Sequence, residues 1–173
     1  MNPHAGEKGR DFNEMSAWRQ QEYESKAKQD LSVYAVKNPK GEMMYTLNWQ
    51  PPYDWSWMFG FLAARAVTGV ETVTEDYYER SFACEGHQGI FRVTPDIATH
   101  TLTVTLSPGL IPVAQPCLER IERLFDLACN PQHIAETLGD LGAARPGLRL
   151  PGAMDAYEQG VRAILGQLVS VAM

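Results

Sequence analysis

The stretch "THTLTVTLS", residues 99–107, leaves few options. Leu102, Val104 and Leu106 alternate with Thr101, Thr103 and Thr105. A period of two puts the aliphatic set on one face of a strand and the hydroxyls on the other. That pattern belongs to an antiparallel sheet with one face packed and the other wet, because a parallel sheet covered on both sides would read as an unbroken apolar run. Whatever else the chain does, it must supply further strands beside this one and helices on its apolar face.

The flanking sequence supplies both. "YTLNW" (45–49) has the length of a short strand, and "QPPY" breaks it. "VETVTEDYYERSFAC" (70–84) and "HQGIFRVT" (87–94) are expected as strands on either side of a turn at Gly86. "DWSWMFGFLAARAV" (54–67) is expected as a helix with Asp54 as its cap. "CLERIERLFDLAC" (117–129) is amphipathic, with Leu118, Ile121, Leu124, Phe125 and Ala128 turned inward. "PQHIAETLGDLG" starts a helix at Pro131 and ends on glycine. The fold class is therefore α+β, an antiparallel sheet with helices on one face, and after about Asn130 an all-helical region opens.

The last helix begins at "PGAMDAYEQG". Asp155 and Glu158 have capping-box spacing, and Tyr157, Val161, Ile164 and Leu165 form the stripe expected to be buried. Gly166 leaves two possibilities. One helix runs through to Met173 with Leu168 in the core, or the helix stops at Gly166, Gln167 and Leu168 sit on a turn, and "VSVAM" begins another.

Charge divides the chain. All five lysines fall within residues 1–43, a segment with seven basic and seven acidic groups. From Met44 onward eight arginines face fourteen acids, which accounts for the whole net charge of −6. Residues 1–43 are thus expected to be an appended segment, a misassigned start or a fusion, with a short helix over "DFNEMSAWRQQEYESKAKQD" followed by the loop "VKNPKGE", and the pair Met43–Met44 is a plausible start. The first residues have no apolar signal-peptide core, and no run approaches the roughly 20 apolar residues of a membrane span, so a cytoplasmic protein is expected. Cys84, Cys117 and Cys129 are too scattered for a metal knuckle, and Cys129 and His133 have no second pair. No metal and no cofactor is expected, and net −6 argues against bulk nucleic-acid binding without excluding a local basic patch.

The helix at 54–67 carries a second message. Trp55, Met58, Phe59, Leu62 and Ala66 share one stripe suited to covering the sheet. Trp57, Phe61 and Ala64 lie opposite, with Arg65 beside them. A surface helix needs one apolar stripe, so the second faces either another domain or a flat ligand.

"YTLNWQPPYDWSWMFGFLAARAVTGVETV", "HTLTVTLSPGL", "LFDLACNPQ" and "LGAARPGLRLPGAMDAYEQGVRAILGQLVSVAM" closely resemble the bacterial DNA-3-methyladenine glycosylase II family, the inducible alkylation-repair branch of the helix-hairpin-helix DNA glycosylases. The resemblance runs from Met44 to Met173. It implies an N-terminal α+β domain over 44–131, similar to a TATA-binding-protein repeat, and the first helices of an all-helical glycosylase domain over 132–173, with residues 1–43 unmatched. It also implies hydrolysis of the N-glycosidic bond of alkylated bases in double-stranded DNA, by a monomer that flips the nucleotide out and fills the hole with an apolar wedge. The wedge maps onto Leu168, with Gln167 beside it, and a cleft-lining aromatic maps onto Phe61, where a cationic methylated purine would stack on an electron-rich ring. The family's phosphate-gripping hairpin and the catalytic aspartate after it have no counterpart here, since "RPGLRLPG" lacks the second close glycine. The tryptophan- and tyrosine-rich far wall of the family's cleft is missing too. A chain truncated before those parts is expected to bind DNA weakly and to be inactive alone. The alternative is a non-catalytic α+β binding module.

Overall fold

The computed structural model describes residues 35–167. Among them the backbone forms β1 (Val36–Lys37), β2 (Met43–Asn48), α1 (Trp55–Ala63), β3 (Glu71–Val73), β4 (Tyr78–Cys84), β5 (His87–Asp96) and β6 (Thr101–Leu106). A 3-10 helix (Pro108–Val113), α2 (Ala114–Leu124), α3 (Pro131–Leu138), α4 (Asp140–Ala143) and α5 (Ala156–Gly166) follow. The strands make one antiparallel sheet in the order β1-β2-β6-β5-β4-β3.

The alternating strand sits at the centre. Leu102 lies opposite Leu47 and Pro95, Val104 opposite Tyr45 and Val93, and Leu106 opposite Met43 and Phe91. Leu102, Val104 and Leu106 are fully buried, while Thr101, Thr103 and Thr105 are half-buried on the other face. Burying each aliphatic side chain contributes about 1.5–3 kcal/mol, so this one row fixes the register of three strands. Against it pack Trp55, Met58, Phe59 and Leu62 of α1 and Cys117, Leu118, Ile121 and Leu124 of α2, with Phe125 just beyond. The 3-10 helix approaches β5 closely: a Cβ on Gly109 would lie 2.1 Å from the Gln88 carbonyl oxygen.

Asp54 caps α1 as expected, its Oδ1 accepting from the Trp57 N–H at 2.9 Å. The helix ends earlier than its composition implies, at Ala63, and Ala66 lies beyond it. The expected single strand over 70–84 is two, because Thr74 Oγ1 accepts from the N–H groups of Asp76 and Tyr77 and folds a turn between Val73 and Tyr78. "VKNPKGE" is a hairpin that adds β1 to the sheet edge: Asn38 Oδ1 gathers the N–H groups of Lys40 and Glu42, and Gly41 takes φ +79°. Ala128, expected inward, is half-buried after the end of α2.

The chain from Arg145 to Met154 straps the sheet unit. Gly152 N–H donates to the Leu124 carbonyl at 2.9 Å, the Gly147 carbonyl accepts from Asp54 N–H at 2.9 Å, and Met154 is buried in the core. Arg149, 2% exposed, sends its guanidinium to the Gln50, Pro52 and Cys129 carbonyls and lies over the Tyr53 ring.

The stripe Tyr157, Val161, Ile164 and Leu165, expected to be buried, is exposed, and Tyr157 and Ile164 are 82% and 66% accessible. Two polar residues reverse the orientation. Glu158 and Arg162 share the other side of α5 and find charged partners on the sheet unit, so the helix turns that side inward. The capping box is half made for the same reason: Asp155 Oδ1 accepts from Glu158 N–H at 2.8 Å, but the Glu158 carboxylate points to arginines.

Candidate functional site

The outer stripe of α1 is real. Trp57 and Phe61 are half-buried and stacked, with centroids 5.4 Å apart and planes 29° from parallel. The Arg65 guanidinium covers the Phe61 ring at 3.8 Å and donates to the Phe61 carbonyl at 3.3 Å. Attraction between a cation and the ring quadrupole explains the stacking.

Phe61 and Arg65 form one wall of a cleft of about 600 Å³. The floor is Glu71 of β3 with Tyr78 and Arg80 of β4, and the opposite wall is α5, from Asp155 through Glu158 and Arg162 to Leu165 and Gln167. Phe61 and Gln167, named from the sequence as pocket-lining and intercalating residues, therefore line the same cleft from opposite elements. Gln167 follows the last helical residue, Gly166, and keeps right-handed angles (φ −74°, ψ −26°). Gly166 is thus a helix end without the left-handed turn that often makes glycine useful there. Leu168 lies outside the described residues.

The floor is a charge network that the sequence reading missed. Arg80 Nη2 reaches Glu158 at 2.8 Å and Nη1 reaches Glu71 at 3.6 Å. Arg162 Nη2 reaches Glu71 and Glu158, both at 2.7 Å, and its Nη1 donates to the Arg65 carbonyl at 2.9 Å. Tyr78 O–H donates to Glu71 at 2.7 Å. Burial disfavours the Glu71 anion, but hydrogen bonds from Arg162, Val67 N–H and Tyr78 outweigh it and hold its carboxyl below the usual range. Burial pushes the Tyr78 phenol well above its ordinary value, so it stays a donor. A signal was present in the sequence: Tyr78, Arg80, Phe82 and Cys84 share strand parity, and a charge on an otherwise apolar face demands a buried partner.

The three acids lining the cleft are committed. Glu71 and Glu158 sit in ion pairs, and Asp155 caps α5. Among the described residues no group of three or more His, Cys, Asp or Glu could hold a metal ion. None of the described helices is long and apolar enough to cross a membrane.

Residues 44–155, more than half of the chain, match the AlkA N-terminal domain. The chain belongs to that family. It is 69% identical over 130 residues to the DNA-3-methyladenine glycosylase 2 of Escherichia coli, covering 75% of this chain and 46% of that protein. It is 35% identical over 138 residues to a probable bifunctional transcriptional activator/DNA repair enzyme AlkA of Mycobacterium tuberculosis, covering 75% of this chain and 27% of that protein. The chain therefore spans about half, or less, of the length of these relatives. A 3-methyladenine DNA-glycosylase from Archaeoglobus fulgidus has the same fold over 72% of this chain and 45% of its own, with a TM-score of 0.59 and 16% identity.

Proposed function

We propose that this AlkA-family chain supplies the N-terminal part of a DNA-3-methyladenine glycosylase, which hydrolyses the N-glycosidic bond of alkylated bases in duplex DNA during base-excision repair. In this reading the α+β unit is a scaffold, and the cleft between α1 and α5 receives the edge of a flipped, positively charged purine. Phe61 offers that base an aromatic face. Gln167, with Leu168 after it, meets the DNA where the nucleotide has left the stack. The observation that carries the reading is the placement of Phe61 and Gln167 on one cleft, with a cation already resting on the Phe61 ring.

No catalytic carboxylate is assigned among the acids that line the cleft, because Asp155, Glu158 and Glu71 are held by a helix N-terminus or by arginines. Pairing with a cation or a backbone N–H weakens a carboxylate as a base toward water. These residues bind and position, and do not hydrolyse.

The test compares fluorescein-labelled duplexes with and without a 7-methylguanine, at low ionic strength, by anisotropy. The wild-type chain is expected to prefer the methylated duplex and to release no base above background. Phe61→Ala is expected to remove the preference and leave the weak binding to unmodified duplex unchanged. Equal binding of both duplexes by the wild type would sink the reading. So would base release abolished by Glu158→Gln.

A further inference from the structure

Helix α5 is held unlike α1 and α2, which bury an apolar stripe against the sheet. None of its residues is buried, and its large apolar side chains face outward. Its N-terminal end is fixed: Met154 is buried, Arg120 donates to the Met154 carbonyl at 3.0 Å, and Gly152 is bonded to Leu124. Beyond that pivot, the contacts that bring the helix against the sheet unit are ionic. They join Glu158 to Arg80, and Arg162 to Glu71 and the Arg65 carbonyl.

The four charges divide in a specific way. Glu71 and Arg80 are both on the sheet, nearly buried, and lie 3.6 Å apart. Glu158 and Arg162 are both on α5, about one-third exposed, and lie 2.7 Å apart at i, i+4. Each element therefore carries its own neutral pair. Removing one partner of a buried ion pair strands a charge, at large cost. Parting two neutral pairs strands none. After separation Glu71 keeps Arg80, Tyr78 O–H and Val67 N–H, and Glu158 keeps Arg162.

We infer that the two pairs form a latch: α5 swings about Met154 between a docked and a released state, and the latch, not apolar packing, sets the width of the Phe61–Gln167 cleft. Gln167 lies about 18 Å along the helix from the pivot, so a tilt of roughly 10° moves it about 3 Å. Glu71, Arg80, Glu158 and Arg162 are positioning residues in this device. Its meaning for a base entering the cleft rests on the proposed function, but the mechanics do not.

Hydrogen exchange followed by mass spectrometry on the full chain tests it without DNA, so its failure and that of the DNA reading are separable. In Glu158→Gln/Arg162→Gln the α5 amides are expected to exchange roughly tenfold faster or more, as the loss of charge-assisted bonds implies, while β4–β6 keep their protection. Raising the ionic strength should do the same to the wild type, because the α5 pair is open to solvent. Fraying of α5 alone is separated by Glu71→Gln/Arg80→Gln, which leaves the helix pair intact and must still release α5. Unchanged α5 exchange in the first variant would overturn the inference. So would retained α5 protection in the second variant, or loss of sheet protection in step with α5.

Discussion

Arg149 poses a contest between two large terms, and Arg149→Met decides it. Methionine keeps a long unbranched side chain and removes the guanidinium. Lost with it are hydrogen bonds to the Gln50 and Pro52 carbonyls, a long one to Cys129 at 3.5 Å, and the contact with the Tyr53 ring at 5.0 Å. The two good charge-assisted bonds, both part-buried, are worth about 1.5–3 kcal/mol each. On the other side, the folded state no longer desolvates a cation, a relief of several kcal/mol. The lost charge-assisted bonds to the two carbonyls decide the sign. The carbonyls sit in the "QPPY" turn, whose prolines have no N–H to offer, so no backbone donor replaces the guanidinium. The net expectation is a loss of about 2–4 kcal/mol. That corresponds to a melting temperature lower by about 5–15 °C in a chain of this size, and to a lower urea midpoint with unchanged m. Arg149→Lys should recover only part of this, since an ammonium reaches one carbonyl where the fork reaches two. Far-UV CD melts and urea titrations of both variants measure it. If Arg149→Met lies within about 0.5 kcal/mol of the parent, the guanidinium contributes no net stability and the reasoning fails.

Three further expectations are cheaper to check. Gly147 has φ +84°, and a Cβ there would lie 2.7 Å from the Tyr53 nitrogen, so Gly147→Ala should cost about 2–4 kcal/mol in urea unfolding. Asp54→Ala removes the α1 cap and should cost about 1 kcal/mol, with Asp54→Asn recovering most of it in the same titration. The Glu71 carboxyl titrates below its ordinary 4.5 in the folded state. Its contribution is therefore full above that value and lost as pH falls through the lower folded-state value. Glu71→Gln should flatten the acid limb of a stability–pH profile and leave its slope between pH 6 and 8 unchanged.

What the sequence announced and what it concealed follow from range. The central strand was legible because Leu102, Val104 and Leu106 are set by a local period of two, and the α1 cap because Asp54 acts three residues away. Phe61 was legible through the same local logic, a second stripe at helical spacing. The orientation of α5 was not. Hydropathy puts Tyr157, Val161, Ile164 and Leu165 inward, and only the partners Glu71 and Arg80, some eighty residues earlier, reverse it. Arg149 escapes a sequence pattern because its acceptors are backbone carbonyls nearly a hundred residues away, which no side-chain pattern records. The split of 70–84 into two strands rested on one threonine hydroxyl. Local periodicity reached the elements and one wall of the cleft, while its floor depended on contacts between distant segments.

The stacking of Trp57 on Phe61, a residue of the cleft wall, has an optical consequence. The chain has four tryptophans, Trp18, Trp49, Trp55 and Trp57. Trp49 and Trp55 are 6% exposed, shielded from a dissolved quencher, whereas Trp57 is half-buried and stacks on Phe61, which lines the cleft. With Trp18 replaced by phenylalanine, the fraction of the emission that acrylamide can reach comes mainly from Trp57. The protein thus carries a native fluorophore in contact with one residue of its cleft, and anything that displaces or covers Phe61 should be visible as a change in that quenching, with no label attached.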